Sequence, residues 1–165
     1  GGESALSLVN KYDNLLVVRT FSKSRSMAGM RIGFAIGNEE LIKALNAVNG
    51  SYNSYTMNMP SMMLGSESVK DDAYFKETIG KIVATRERTI AAMKKMGFSI
   101  LESSTNFIFA THEAVPAKKI FDELRNQNIY VRYFNKPLID NYLRISIGTD
   151  EEMAAFLEKL ASILK

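Results

Sequence analysis

The longest helical pattern in the sequence runs from Asp71 to Met96, and it separates two parts that are patterned differently. Apolar residues recur along it at intervals of three and four, which is the period of an α-helix with one buried face. Asp71 or Asp72 can cap its start, and Gly97 stands where a left-handed residue commonly ends a helix. The pattern therefore predicts one long helix between a front part and a back part.

The front part mixes strands and helices. Asn14 to Phe21 and Met30 to Ile36 are apolar runs that predict two strands, with a small polar loop between them. Glu39 to Val48 predicts an amphipathic helix, Asn49 to Pro60 an irregular segment because of its Gly, Asn and Pro content, and Ser61 to Val69 a further helix. This part is too small to close a sheet alone, so we expect it to be the end of a larger α/β domain.

The back part reads helix, strand, strand, helix, strand, strand, helix. The predicted strands and helices after the long helix are Ser99–Leu101, Asn106–Ala110, Pro116–Gln127, Ile129–Phe134, Tyr142–Ile147 and Glu151–Leu164. Thr149 and Glu152 form a capping box at the last helix. We predict an α/β chain in which residues 1–66 are the C-terminal remnant of a large domain and residues 67–165 form a small α+β domain.

Composition excludes several classes of function. The 165 residues include no cysteine, so disulfides, thiolate nucleophiles and cysteine-ligated metals are excluded. No apolar run approaches the ~18 residues of a membrane-spanning helix, and the start lacks the features of a signal peptide. We therefore expect a cytoplasmic protein, and we interpret Gly1 as a cut end. The net charge of +3 is spread along the chain, which argues against nucleic-acid binding.

Several polar residues have ordinary structural explanations. His112 is the only histidine, and its position after a strand predicts a surface turn. Arg86 and Arg88 are predicted on the solvated face of the long helix. Asp150 and Glu151 stand at a helix start, where negative charge suits the helix dipole. No metal site is therefore predicted.

The stretch with chemical content is Thr20-Phe-Ser22-Lys23, followed by Arg31 at the eighth position after the lysine. A lysine directly after an apolar strand lies at the carboxyl end of that strand, where open parallel α/β sheets bind ligands. The loop turns at Gly29 into the next strand, so Arg31 should return to the same edge. Two hydroxyls and a guanidinium suit a phosphate dianion. The pattern favours a phosphate cradle beside a nucleophilic lysine, as pyridoxal phosphate (PLP) requires, over a lysine in a surface loop.

The motifs resemble those of a known enzyme family. Val18 to Ser24 with Ala28 to Phe34 is similar to the lysine motif of class I/II aminotransferases, which have PLP fold type I. Asn106 to Phe109, Val131-Arg132 and Tyr142 to Thr149 resemble later strands of the same family, in the same order. The resemblance covers essentially the whole chain, and its ending is most similar to the histidinol-phosphate aminotransferase group.

The resemblance implies a cofactor site in the front part. Lys23 matches the lysine that holds PLP as an imine and then shuttles a proton as general base and acid. Thr20, Ser22 and Arg31 match groups that contact the cofactor phosphate.

The resemblance also implies a substrate site and a partner. Arg144 matches the arginine that binds the substrate α-carboxylate, or the corresponding end of histidinol phosphate, and Arg132 resembles a second arginine near the substrate phosphate. The implied reaction exchanges the amino group between histidinol phosphate and 2-oxoglutarate, in a homodimer with small-molecule substrates and no nucleic-acid or membrane partner. Other family groups on the cofactor ring would lie upstream of Gly1, so we expect this chain to be inactive alone.

Three alternatives remain open. One is another PLP enzyme of the same fold type, such as an aromatic or broad-specificity aminotransferase or a phospho-amino-acid decarboxylase. The second is a non-catalytic interaction module, and the third is a nucleic-acid binder, which only the pI of 9.1 favours.

Overall fold

The computed structural model describes residues 3–165, and these form two compact units that part between Glu77 and Thr78. The boundary falls within helix α3 (Asp72–Lys95), which is the predicted long helix. The predicted domain boundary after residue 66 stays a prediction. The two units are defined by which residues lie close together, and this does not show which segments fold as independent domains.

The first unit contains a two-stranded sheet and two helices. Strands β1 (Leu16–Thr20) and β2 (Gly33–Gly37) pair antiparallel, with Leu16 opposite Gly37 and Thr20 opposite Gly33. Helices α1 (Glu39–Tyr52) and α2 (Met59–Lys70) follow. The strands were expected at a parallel sheet edge, but among the described residues they form an antiparallel pair joined by one loop.

Helix α1 continues through residues that were predicted to be irregular. It begins after Asn38, whose side-chain oxygen accepts a hydrogen bond from the backbone N–H of Glu40 at 2.8 Å. It then runs past Gly50 to Tyr52. The prediction that the helix ends at Val48 is wrong, because one glycine costs a helix only about 1 kcal/mol relative to alanine and does not force it to end.

The second unit has the element order that the sequence predicts. After α3 come β3 (Phe98–Ile100), β4 (Phe107–His112), α4 (Ala117–Asn126), β5 (Arg132–Tyr133), β6 (Leu143–Ser146) and α5 (Asp150–Ile163). The strands form one antiparallel sheet in the order β3-β4-β6-β5. The last strands are shorter than the apolar runs that predict them, since a strand extends only as far as it has a partner.

One face of this sheet carries the core. The alternating residues Ile108, Ala110, Leu143 and Ile145 are buried, as a strand period of two requires. They form one cluster with buried residues of the three helices and of β3, namely Met93, Phe98, Ala117, Ile120, Leu124, Met153, Phe156 and Leu160. The other face is the more exposed one, and it holds the polar side chains described below.

The helix ends of this unit follow the predicted chemistry. Gly97 has φ +88°, a left-handed conformation that glycine adopts without steric cost. Thr149 and Glu152 form the predicted capping box, in which the Thr149 N–H donates to Glu152 Oε2 at 2.8 Å. Within residues 3–165, no helix is both long enough and apolar enough to cross a membrane.

Two of the polar residues lie elsewhere than predicted. Arg86 is only 8% exposed and donates from Nη1 to the carbonyl of Thr105 at 2.8 Å, so its predicted place on a solvated face is wrong. His112 ends strand β4 and is half-buried, not in a surface turn. Its Nδ1 accepts from the N–H groups of Ala114 and Val115, which leaves Nε2 as the donor to a backbone carbonyl.

Candidate functional site

The predicted cofactor residues lie in and beside the loop that joins β1 to β2. We call residues 21–32 the lysine loop. The Phe21 N–H donates to the Ile32 carbonyl at 3.1 Å, which continues the β1–β2 pairing by one step and holds the two ends of the loop together. Lys23 lies near one end and Arg31 near the other. The backbone therefore brings positions 23 and 31 to the same end of the strand pair, as the spacing predicts, although through an antiparallel pair.

Two hydroxyls lie close to Lys23 in the sequence, that of Thr20 at the end of β1 and that of Ser22 in the lysine loop. The Ser22 N–H approaches Thr20 Oγ1 at 3.4 Å, so the Thr20 hydroxyl keeps its own proton free to donate. The Ser26 N–H donates to the Lys23 carbonyl at 3.1 Å and fixes the turn around the lysine. Lys23 and Thr20 are exposed and Ser22 is half-buried.

The second half of the loop is conformationally strained at the arginine. Arg31 has φ 56°, in the left-handed region that costs a residue with a Cβ roughly 1–2 kcal/mol. Its Nη1 donates to the Ala28 carbonyl at 3.2 Å across one turn of 3-10 helix (Ala28–Met30). Strain of this kind concentrates at ligand-binding positions, where it fixes the direction of a side chain.

The charge of this region suits an anion. Between Leu15 and Asn38 the sequence has no acidic residue and includes four cations, Arg19, Lys23, Arg25 and Arg31. The salt bridges found among residues 3–165 involve none of these four. Cations without carboxylate partners, next to two hydroxyls, fit the phosphate group that PLP carries.

The predicted substrate residues lie in the second unit, on the exposed face of its sheet. Arg144 on β6 is directly opposite Arg132 on β5, and both are exposed. The guanidinium groups lie 5.9 Å and 5.4 Å from the centre of the Phe134 ring, and that of Arg144 lies 5.4 Å from the Phe107 ring. Two like charges directly opposite on a sheet lower stability, so this pair costs the fold some stability.

Two further aromatic rings extend the contacts of Phe134 beside this arginine pair. Phe109 stacks on Tyr142 with ring centres 4.7 Å apart and meets Phe134 edge-on at 6.2 Å. Phe109 and Arg144 are also paired across β4 and β6. Phe107, Phe109 and Tyr142 were not identified from the sequence. The alternation along β4 could have indicated the first two, because it places them on the face opposite the buried Ile108.

Two further residues, one within the lysine loop and one in α2, were not identified from the sequence. Ser61 is buried in the first turn of α2, and Arg25 is half-buried two residues after Lys23. Both bond the backbone of a distant segment, Ser61 to Met30 and Arg25 to Ser68. No local pattern identifies them, because their partners lie 31 and 43 residues away in the sequence.

A protein-family comparison connects these residues to known enzymes. The model of the family "Aminotransferase class I and II" matches residues 1–160. The histidinol-phosphate aminotransferase of Brachyspira hyodysenteriae is 53% identical over 99% of this chain, and a Clostridium botulinum enzyme of the same name is 52% identical over 99%. The match covers 46% of each relative, so the chain spans about half the length of the curated relatives it matches.

Solved structures agree with this relationship. The histidinol-phosphate aminotransferase of Clostridium acetobutylicum superposes with a TM-score of 0.88 at 25% identity, over 98% of this chain and 49% of that one. The enzyme from Sinorhizobium meliloti, solved in complex with pyridoxal-5'-phosphate, gives 0.82 at 26% identity, over 92% of this chain and 41% of that one. These likenesses confirm the predicted α/β fold class.

Proposed function

Because the chain belongs to the class I and II aminotransferase family, we propose that the intact protein is a PLP-dependent histidinol-phosphate aminotransferase. It exchanges the amino group of histidinol phosphate for the oxo group of 2-oxoglutarate, giving imidazole-acetol phosphate and glutamate. The identity of 53% to a curated enzyme of that name supports this substrate over those of other family members. The structural observation that carries the proposal is the lysine loop, which brings positions 23 and 31 to one end of a strand pair in a segment without acids.

The residues in and beside the lysine loop have different roles toward the cofactor. PLP, when bound, supplies an electron sink that lets a proton leave the substrate α-carbon. Lys23 Nζ would hold the cofactor until the substrate amine replaces it. The freed amine would then take that proton as general base and return it as general acid. Arg31, with the Thr20 and Ser22 hydroxyls, binds the phosphate through charge-assisted hydrogen bonds.

The arginine pair of the second unit binds the substrate. Arg144 binds the α-carboxylate of glutamate or the corresponding end of histidinol phosphate, and Arg132 binds the substrate phosphate. An anion between them relieves the repulsion of two cations held directly opposite on neighbouring strands. A planar guanidinium binds carboxylate and phosphate through two parallel hydrogen bonds, which orients the substrate as well as attracting it.

The proposal extends to the state of the protein. The intact enzyme is a cytoplasmic homodimer, and residues 1–165 alone bind PLP weakly and do not turn over substrate. The chain spans about half the length of its curated relatives, which supports the part of the proposal that concerns the activity of residues 1–165 alone.

Transamination by the full-length protein tests the assignment. With histidinol phosphate and 2-oxoglutarate, we expect glutamate to form and Lys23→Ala to lower kcat by roughly 10³-fold or more, as removal of a covalent catalytic group does. Arg125→Ala is the control, because Arg125 is exposed at the end of α4 in the second unit. The same assay with aromatic amino acids, and a test for carbon dioxide release from phospho-amino acids, distinguishes the other enzymes of the fold type. Full activity of Lys23→Ala would contradict the proposal.

A further inference from the structure

The lysine loop is hydrogen-bonded to one face of helix α2 at two points, Arg25 and Met30. We propose that Ser61 and Arg25 are positioning residues that set where Arg31 and Lys23 lie. The inference rests on the proposed function of Lys23, since it assigns these two residues a role in the same cofactor site. All the contacts that carry it lie within the first unit.

The first attachment is at the arginine end of the loop. Ser61 is 2% exposed, and its Oγ donates to the Met30 carbonyl at 2.9 Å. Met30 directly precedes Arg31, whose left-handed backbone needs outside support. Ser61 is itself held in the first turn of α2, because its N–H donates to the capping side chain of Asn58 at 2.8 Å. The hydroxyl thus joins a fixed helix start to the peptide that sets the direction of Arg31.

The second attachment is at the lysine end. Arg25 Nη1 donates to the carbonyl of Ser68, near the C-terminal end of α2, where the partial negative charge of a helix attracts cations. The same guanidinium lies 4.4 Å from the centre of the Phe75 ring and 5.7 Å from that of Phe21. It therefore binds a carbonyl and two aromatic rings at once, which is a geometry specific to arginine.

Between the two attachments the helix backbone itself contacts the loop. A Cβ added at Gly65 would lie 2.8 Å from Ile32 Cδ1 and 3.9 Å from Phe21 Cε2. Phe21 and Ile32 are the two ends of the lysine loop, and they are buried. Ser61, Gly65 and Ser68 are spaced four and three residues apart, so they lie on one face of α2.

These contacts hold the loop in place and do not involve the side chains of Lys23 and Arg31, which are the ones proposed to contact the cofactor. Lys23 is exposed and lies two residues before Arg25, while Arg31 is exposed and lies one residue after Met30. A catalytic amine displaced by about 1 Å loses on the order of 10²-fold in rate. Loss of either attachment should therefore reduce cofactor binding and kcat, whereas the KM for histidinol phosphate should stay unchanged, because Arg132 and Arg144 lie in the other unit.

The test uses the full-length enzyme with Arg25→Met and Ser61→Ala. The measurements are the Kd for PLP, the visible absorbance of the lysine-bound cofactor, kcat and KM at saturating PLP, and Tm. We expect each variant to bind PLP about tenfold more weakly, as the loss of one hydrogen bond of ~1.4 kcal/mol implies, with a lower kcat and an unchanged KM. Arg25→Lys, which keeps the charge but loses the planar group, should recover part of the affinity.

Matched controls remove the same groups away from the loop. Arg125→Met deletes an exposed guanidinium, and Ser162→Ala deletes a hydroxyl that donates to the Lys159 carbonyl at 2.7 Å in α5. Both should leave PLP affinity unchanged. Ser61→Ala removes a single oxygen atom, so it still tests the inference if Arg25→Met does not fold.

The possible outcomes separate the inference from the proposed function. If both variants lower Tm but bind PLP and turn over like the wild type, Ser61 and Arg25 are only structural and the inference is wrong. If the wild-type enzyme forms no covalent link between PLP and Lys23, the proposed function itself has failed. Weaker PLP binding in the variants, with an unchanged KM and unaffected controls, would support both.

Discussion

The two units of this chain differ in how much apolar surface they bury. All but two of the buried apolar side chains of residues 3–165 lie in the second unit, where they form one core. The exceptions are Phe21 and Ile32, at the ends of the lysine loop. The first unit instead leaves large apolar side chains exposed on its strands and helices, and Val18, for example, is 64% exposed.

The two units should therefore contribute unequally to the stability of the chain. The second unit has a sheet covered by helices and can bury a core of its own, whereas the first unit has two strands and no comparable core. Among the described residues, the unit that carries Lys23 therefore gains less of its stability from apolar burial than the second unit does. The proposed attachment of the lysine loop to α2 is the part of that unit that is already well packed.

The largest expected effect comes from separating the units. Residues 78–165 expressed alone should unfold cooperatively on heating, with a free energy of unfolding of about 5 kcal/mol. Residues 1–77 alone should show no cooperative transition, because a two-stranded sheet without a core is marginal in water. Circular dichroism melting curves of both fragments measure whether each unfolds cooperatively. A sharp transition in the fragment of residues 1–77 would contradict the prediction.

Truncation of one side chain in each unit should give the next largest effect. Ile108 is 0% exposed in the core of the second unit, and Ile108→Ala should lower the free energy of unfolding by about 3 kcal/mol, since it removes packed apolar atoms and leaves a cavity. Val18→Ala is the matched change at an exposed position of β1 and should alter it by less than about 0.5 kcal/mol. Urea titrations of residues 1–165 measure both, and equal costs would show that the two units are not packed differently.

The arginines of α3 allow a sharper test within the second unit. Arg86→Met should destabilise by about 2 kcal/mol, because the Thr105 carbonyl loses a charged donor in a buried place. Arg88→Met should cost little, since Arg88 pairs with Asp150 at the surface and exposed ion pairs contribute weakly. Thermal melting measures the loss of stability in each variant. A larger loss in Arg88→Met than in Arg86→Met would mean that the buried contact of Arg86 is not what stabilises this helix.

The smallest expected effect is a pH dependence at the start of α5. The Thr85 hydroxyl, which donates to Asp150 at 2.6 Å, and then Arg88 lower the pKa of Asp150 below its usual value. A carboxylate with a lowered folded pKa stabilises the fold above its unfolded pKa, and that stabilisation is lost as pH falls through the lower folded value. The Tm of the wild type should therefore exceed that of Asp150→Asn by a constant amount above about pH 4, and this difference should decrease at more acidic pH. A constant difference would contradict this.

The secondary structure of the second unit could be predicted from the sequence to within a few residues at most boundaries. Its helices have a clear period and recognisable caps, such as Gly97 after α3 and the Thr149–Glu152 box before α5. Strand ends were the weakest predictions: β5 spans only Arg132–Tyr133, although the apolar run is longer. Strand length depends on a partner strand, and no local pattern contains that information.

The candidate site could be predicted in part. Lys23 and Arg31 were identified from the motif around them, and the structure places both in one loop at the same end of a strand pair. Their assignment to PLP remains a prediction. Ser61 and Arg25 could not be identified, because each donates to a backbone carbonyl that only the folded chain brings near.

The class of fold, the order of elements and the chemical groups available could be read from local patterns, because periodicity, capping residues and motif spacing are local properties. The antiparallel closure of the lysine loop, the position of Arg144 opposite Arg132 and the burial of Arg86 became known only from the folded chain. These facts depend on strand register and on contacts between distant residues, and such contacts are set by how the whole unit packs.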